Sequence, residues 1–70
     1  MISDESTMNY YIIGEFQSGQ RWKYGHPTNK SIEFVSNEAR LASIEFPDTV
    51  FHVVNSRMEY VLSYSNGRAS

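Results

Sequence analysis

Cysteine is absent from this 70-residue chain, which excludes disulfides and thiolate-bound zinc, the staples small domains most often add. Only two prolines and four dispersed glycines occur, so there is no proline-rich linker and no Gly-x-x-x-x-Gly-Lys loop to cradle a phosphate. The longest apolar run, Tyr10 to Ile13, falls far short of the roughly eighteen residues a spanning helix needs. Neither sign of charge dominates: eight acidic residues face six basic ones, for a net charge of -2. The Lys and Arg excess of a dedicated duplex binder is therefore missing, and so is the acidity of a nucleic-acid mimic. The opening residues carry Asp4 and Glu5 and no basic stretch followed by an apolar one. No secretory signal is read there, and a cytoplasmic location is expected.

Seventy residues are about half the usual domain length, so a single core must serve the whole chain. Aromatic mass is what the chain offers that core: Trp22, five tyrosines and four phenylalanines make up 14% of the sequence. Large rings bury much area per residue, which suits a small core or an interface.

Met1 to Thr7 is polar and aperiodic and reads as a disordered leader, after which Met8 to Phe16 turns abruptly apolar and reads as a strand. Gln17, Ser18 and Gly19 supply turn chemistry, and Arg21 to Tyr24 alternates cations with rings as a second strand. Gly25 to Asn29 contains Pro27 and reads as a loop, and Ile32 to Val35 as a brief extended segment. Ser36 is then the expected N-cap of a helix over Asn37 to Phe46, stopped by Pro47. On that helix Val35, Ala39, Ala42 and Phe46 share one face, while Leu41 and Ile44 project from nearly the opposite one. Val50 to Val54 and Met58 to Tyr64 read as a hairpin closed by Asn55, Ser56 and Arg57. Met58, Tyr60, Leu62 and Tyr64 form its expected core face, and residues 67–70 a mobile tail. The fold class expected is α+β: a two-layer domain over residues 8–66, with an antiparallel sheet in β-β-α-β-β order and one helix on one face.

Catalytic or metal chemistry has little to work with. His26 and His52 stand alone, without the near pairs of ligands that zinc sites use. No serine lies in a Gly-x-Ser-x-Gly turn, and Glu38, Glu45 and Asp48 read as the solvated side and end of the helix. Neither a catalytic residue, a metal nor another cofactor is assigned, and the chain is not read as an enzyme.

The most distinctive segment runs from Arg21 to Lys30, with Arg21, Trp22, Lys23, Tyr24, His26 and Lys30 as candidate binding residues. Three uses stay open. Trp22 or Tyr24 stacks bases while Arg21, Lys23 and Lys30 meet phosphates; the rings enter the core and the cations face water; or the segment anchors a protein partner, where Trp, Tyr and Arg are favoured. Apolar residues on both sides of the helix and of the third strand also suggest self-association as a homodimer, through Leu41 and Ile44 or through Val53.

One resemblance adds to these readings. The run Gly25-His-Pro-Thr-Asn-Lys-Ser, the following Ile-Glu-Phe, the helical Glu38-Ala-Arg-Leu-Ala, Phe46-Pro-Asp-Thr and the valine-rich strand together resemble small accessory proteins of tailed bacteriophages, over about Tyr10 to Gly67. A looser similarity links the chain to the smallest anti-CRISPR inhibitors, which also set a short helix containing Ala-Arg against a sheet and end in a hairpin. The resemblance implies a cytoplasmic, host-modulating protein that acts by binding a host macromolecule, and it transfers no functional residue. The expected function is thus a non-enzymatic module that inhibits or redirects a host protein; the alternative is a nucleic-acid binder using Arg21 to Lys30.

Overall fold

The computed structural model describes residues 9–69; the leader expected over residues 1–7 lies outside them. The chain forms five strands and one helix in the order β1 (Tyr10–Glu15), β2 (Arg21–Thr28), α1 (Ile32–Glu45), β3 (Val50–Val54), β4 (Tyr60–Ser65) and β5 (Arg68–Ala69). All neighbouring strands are antiparallel, in the sheet order β2-β1-β3-β4-β5. The helix is the connection that carries the chain from the β2 edge across to β3, and it packs chiefly on β3 and β4 and less on β1. This is a small α+β domain of two layers, as its patterning implies. No helix of the described residues is long and apolar enough to cross a membrane.

The helix starts a full turn earlier than its sequence suggests. Ser31, in extended backbone, caps it by accepting a hydrogen bond from the Phe34 N–H at 3.2 Å, and Val35 N–H donates to the Ser31 carbonyl. Ile32 to Val35 is therefore the first turn of α1 and not an extended segment, and Ser36 is a buried helical residue and not the cap. Packing explains the choice. A start at Ile32 puts Val35 in helical phase with Ala39 and Ala42, and all three bury against Ile12, Phe51 and Val53. The helix ends at the Phe46 C-cap, immediately before Pro47, as proline requires.

Three further departures have local causes. The second strand does not end at Tyr24: it continues to Thr28 through an irregularity in its pairing with β1, with Gly25 at φ +73°. Pro27 is tolerated there because β2 is an edge strand and has a free side that needs no ladder donor. Residues 67–69, expected within the tail, complete with Asn66 a hairpin to β5. Asn66 and Gly67 both take positive φ (54° and 80°), the requirement of a tight primed turn. The turn is tied to α1, since the Gly67 N–H donates to Ser43 Oγ at 2.8 Å while that hydroxyl donates to the Arg40 carbonyl. Finally, Met58 sits at positive φ in the β3–β4 turn and is 62% exposed. That turn is held by Asn55, whose side-chain oxygen accepts from the Arg57 and Glu59 N–H groups.

The core lies between α1 and the inner sheet face, built on fully buried Phe51, Val53 and Val35 with Tyr10, Trp22, Tyr24, Leu62 and Tyr64 packed around it. Of the expected inward set of β4, Leu62 and Tyr64 take part and Met58 and Tyr60 do not. At Gly14 a side chain has no room, because a Cβ there would lie 2.7 Å from two carbons of the Trp22 indole. Gly14→Ala is expected to cost about 1–3 kcal/mol through overpacking. Urea denaturation checks this, and an unchanged midpoint would contradict the packing described.

Candidate functional site

Strand alternation divides the Arg21 to Lys30 segment between two environments. Trp22 and Tyr24 point to the helix side. Trp22 meets Phe16, Tyr24 and Phe51 with ring centroids 5.7, 5.8 and 5.8 Å away, and Tyr24 meets Phe51 at 5.2 Å and Phe46 at 6.3 Å. These rings roof the part of the inner face flanking α1, so they are structural and do not share a surface with the cations. The Trp22 Nε1–H is buried with no hydrogen-bond partner among the described residues, which marks the ring as fixed by packing and not by a polar contact.

Arg21 and Lys23 project from the other face, which no helix covers. Side chains of residues paired across a ladder lie on the same side, so the pairings map that outer face. Tyr11, Val54 and Tyr60 form one row, Lys23, Ile13, His52 and Ser63 a second, and Arg21, Glu15 and Val50 a third. Arg68 is paired with Ser65, the next outward residue of β4 after Ser63. Tyr60 is on this face, and not among the core residues, because an irregularity in the β3–β4 pairing matches Val53 with Leu62 but Val54 with Tyr60. The extra residue reverses the alternation.

The outer face is ordered by polar contacts between side chains from four strands. His52, 13% exposed at its side chain, bridges Glu15 and Ser63: Nε2 lies 2.9 Å from Glu15 Oε1 and Nδ1 lies 2.6 Å from Ser63 Oγ. The Arg21 guanidinium completes the Glu15 environment at 3.5 Å, donates to the Tyr60 hydroxyl at 2.9 Å and lies 5.4 Å from the centre of the Tyr60 ring. The Tyr60 and His52 rings are 4.8 Å apart, and Lys23 Nζ lies 5.6 Å from the centre of the Tyr11 ring. Hydroxyl, imidazole and carboxylate follow one another as in a proton relay. These contacts also clamp β1, β3 and β4 together across the outer face.

The other candidate residues are dispersed. His26 is exposed in the outer half of β2, and Lys30 precedes α1 with its ammonium 5.5 Å from the centre of the Phe34 ring. Leu41, Ile44 and Phe34 are about half exposed on α1, with Ile44 lying against Gly67 of the β4–β5 turn. Val53 is fully buried beneath α1, so it offers no contact surface, and Val54, which its pairing with Tyr11 and Tyr60 sets on the outer face, is fully buried as well. Tyr11, Glu15, Tyr60, Ser63, Arg68 and Phe34 carry no binding signal in the sequence alone. The alternation of Tyr11, Ile13 and Glu15 was visible, but their meeting with His52 depends on β1 pairing with β3, two strands that are not consecutive in the chain. No protein-family model, curated protein or solved structure matches the chain.

A carboxylate only accepts, so His52 Nε2 donates to Glu15, and in the neutral form of the ring Nδ1 accepts from the Ser63 hydroxyl. Nitrogen-15 shifts of the neutral ring are expected to report the Nε2-protonated tautomer. Ser63→Ala is expected to leave that tautomer in place and to cost about 0.5–1.5 kcal/mol of stability. A neutral ring protonated at Nδ1 would contradict the geometry.

Proposed function

We propose that this chain is a non-enzymatic, phage-type accessory protein that binds a host protein in the cytoplasm through the outward face of α1 and thereby inhibits or redirects it. One observation carries the reading. Phe34, Leu41 and Ile44 stand 48%, 49% and 53% exposed on one side of the helix, at spacings of seven and three residues that bring them into a single stripe. A helix of fourteen residues that buries Val35, Ala39 and Ala42 inward and leaves three large apolar groups outward fits the groove of a partner as well as its own sheet. Ile44 is partly seated already, since it packs over Gly67, and the Lys30 ammonium lies over the Phe34 ring; Leu41 is the anchor this reading rests on most.

The rim suggests the partner's chemistry. Glu33, Glu38 and Glu45 flank the stripe, with Arg40 as the one cation on the helix. A groove with an apolar floor and Lys or Arg at its edges is complementary to it. A second copy fits less well, because pairing two such faces brings like charges together, which weakens the homodimer reading through Leu41 and Ile44.

Affinity capture from a nuclease-treated host lysate tests the proposal. The wild-type chain is expected to retain a specific protein that Leu41→Glu loses by tenfold or more, at an unchanged circular dichroism spectrum, since Leu41 is too exposed to support the fold. Recovery of the same proteins by both forms would overturn it.

A further inference from the structure

We propose that the outer face of the sheet is a second binding site, specific for single-stranded nucleic acid, formed by Tyr11, Tyr60, Arg21, Lys23 and Arg68. It is independent of the helix stripe and lies on the opposite side of the molecule.

Charge supplies the first argument. The chain as a whole is acidic, with a net charge of -2, yet three cations face one carboxylate across this surface, and that carboxylate, Glu15, is already engaged by Arg21 and His52. The acidic residues of the helix lie on the far layer. A polyanion is therefore attracted to the sheet face and repelled from the helix face.

Shape and ring placement supply the second argument, and they decide among polyanions. Tyr11 and Tyr60 stand in one row across β1, β3 and β4, two strand spacings or about 10 Å apart. A cation lies over each ring, Lys23 over Tyr11 and Arg21 over Tyr60, so a base that stacks on either ring takes the place of that cation, which then meets the phosphate. Unstacked bases take aromatic platforms of this kind while neighbouring cations take the phosphates, a combination that tolerates any sequence. Duplex DNA buries its bases and is read by elements that enter a groove, whereas this face is an open sheet with no helix on it. An acidic protein surface would meet the cations but would leave the paired rings without a role.

The face is also prepared for a ligand. The Glu15–His52–Ser63 clamp fixes the floor of the site, and the Arg21 bond to the Tyr60 hydroxyl sets the ring and the guanidinium in place before anything binds. Trp22 and Tyr24, the rings that the sequence offers for stacking, are occupied on the inner side. The site keeps Arg21 and Lys23 from that segment and takes its rings from other strands.

Fluorescence anisotropy with a labelled oligothymidylate of about twelve nucleotides, within the span such surfaces cover, tests the proposal on the full chain in low salt. Micromolar binding is expected, at least tenfold tighter than to a duplex of the same length. Engaging about two or three phosphates gives a log–log salt slope near -1.5 to -2. Tyr60→Ala is expected to weaken binding by about 5- to 100-fold and Tyr60→Phe to retain most of it, since stacking needs the ring and not the hydroxyl. Arg21→Ala and Lys23→Ala are expected to weaken binding and flatten the salt slope, while Arg40→Ala, on the helix, leaves both unchanged. Absence of binding in low salt, equal or tighter duplex binding, equal competition by polyglutamate, or an equal loss with Arg40→Ala would each overturn it. Polyglutamate competition in particular would identify the face as a site for acidic proteins.

Discussion

The indole of Trp22 lying against Gly14 is the contact on which the arrangement of this small sheet depends. A fourteen-residue helix extends only about 21 Å, and here it lies over β3 and β4 and the near part of β1. The edge strand β2 must be covered by something else. Its own rings do so: Trp22 lies over the hydrogen-only surface of Gly14 and reaches Phe51, the fully buried centre of the core, with Tyr24 and Phe46 closing the other side. Any side chain at Gly14 would lift the indole and with it the inner face of β2. In a domain with no disulfide to hold a loose edge, this aromatic seam performs that task.

The consequence on the other face follows from the period of a strand. With Trp22 and Tyr24 turned inward, Arg21 and Lys23 can only turn outward. There they meet Tyr11, Glu15 and Tyr60 from strands distant in sequence. The same alternation that builds the core thus assembles a basic and aromatic surface, while three of the six described acidic residues, Glu33, Glu38 and Glu45, lie on the helix. The two layers of the domain carry opposite charge character, and each presents a different kind of surface: an apolar stripe rimmed by glutamates on α1, and rings set beside cations on the sheet.

How far the sequence disclosed this depended on the range of the forces involved. Local signals are legible: Pro47 ends the helix, Ala39 and Ala42 share its buried side, and Val50 to Val54 is a strand at those bounds. The helix start is not, because Ser31 and Ser36 are both plausible caps and only the tertiary contact of Val35 selects the first. Unbroken alternation through β4 predicts Tyr60 in the core, whereas the slip in pairing beside Val54 reverses it. The cations of the outer surface were visible in the Arg21 to Lys30 segment. Its rings and its histidine clamp were not, since they come together only through the order β2-β1-β3-β4.

The placement of Trp22 is the claim from which both faces follow, and proton NMR measures it directly. The space where a Gly14 side chain would stand is occupied by the indole ring, so an α-proton of Gly14 points into the face of that ring and feels its ring current. The expected result is a Gly14 α-proton resonance far upfield of its twin, with nuclear Overhauser contacts to the indole protons of Trp22, and loss of that shift in Trp22→Leu. Two Gly14 α-protons at ordinary shifts, with no contact to Trp22, would contradict the account.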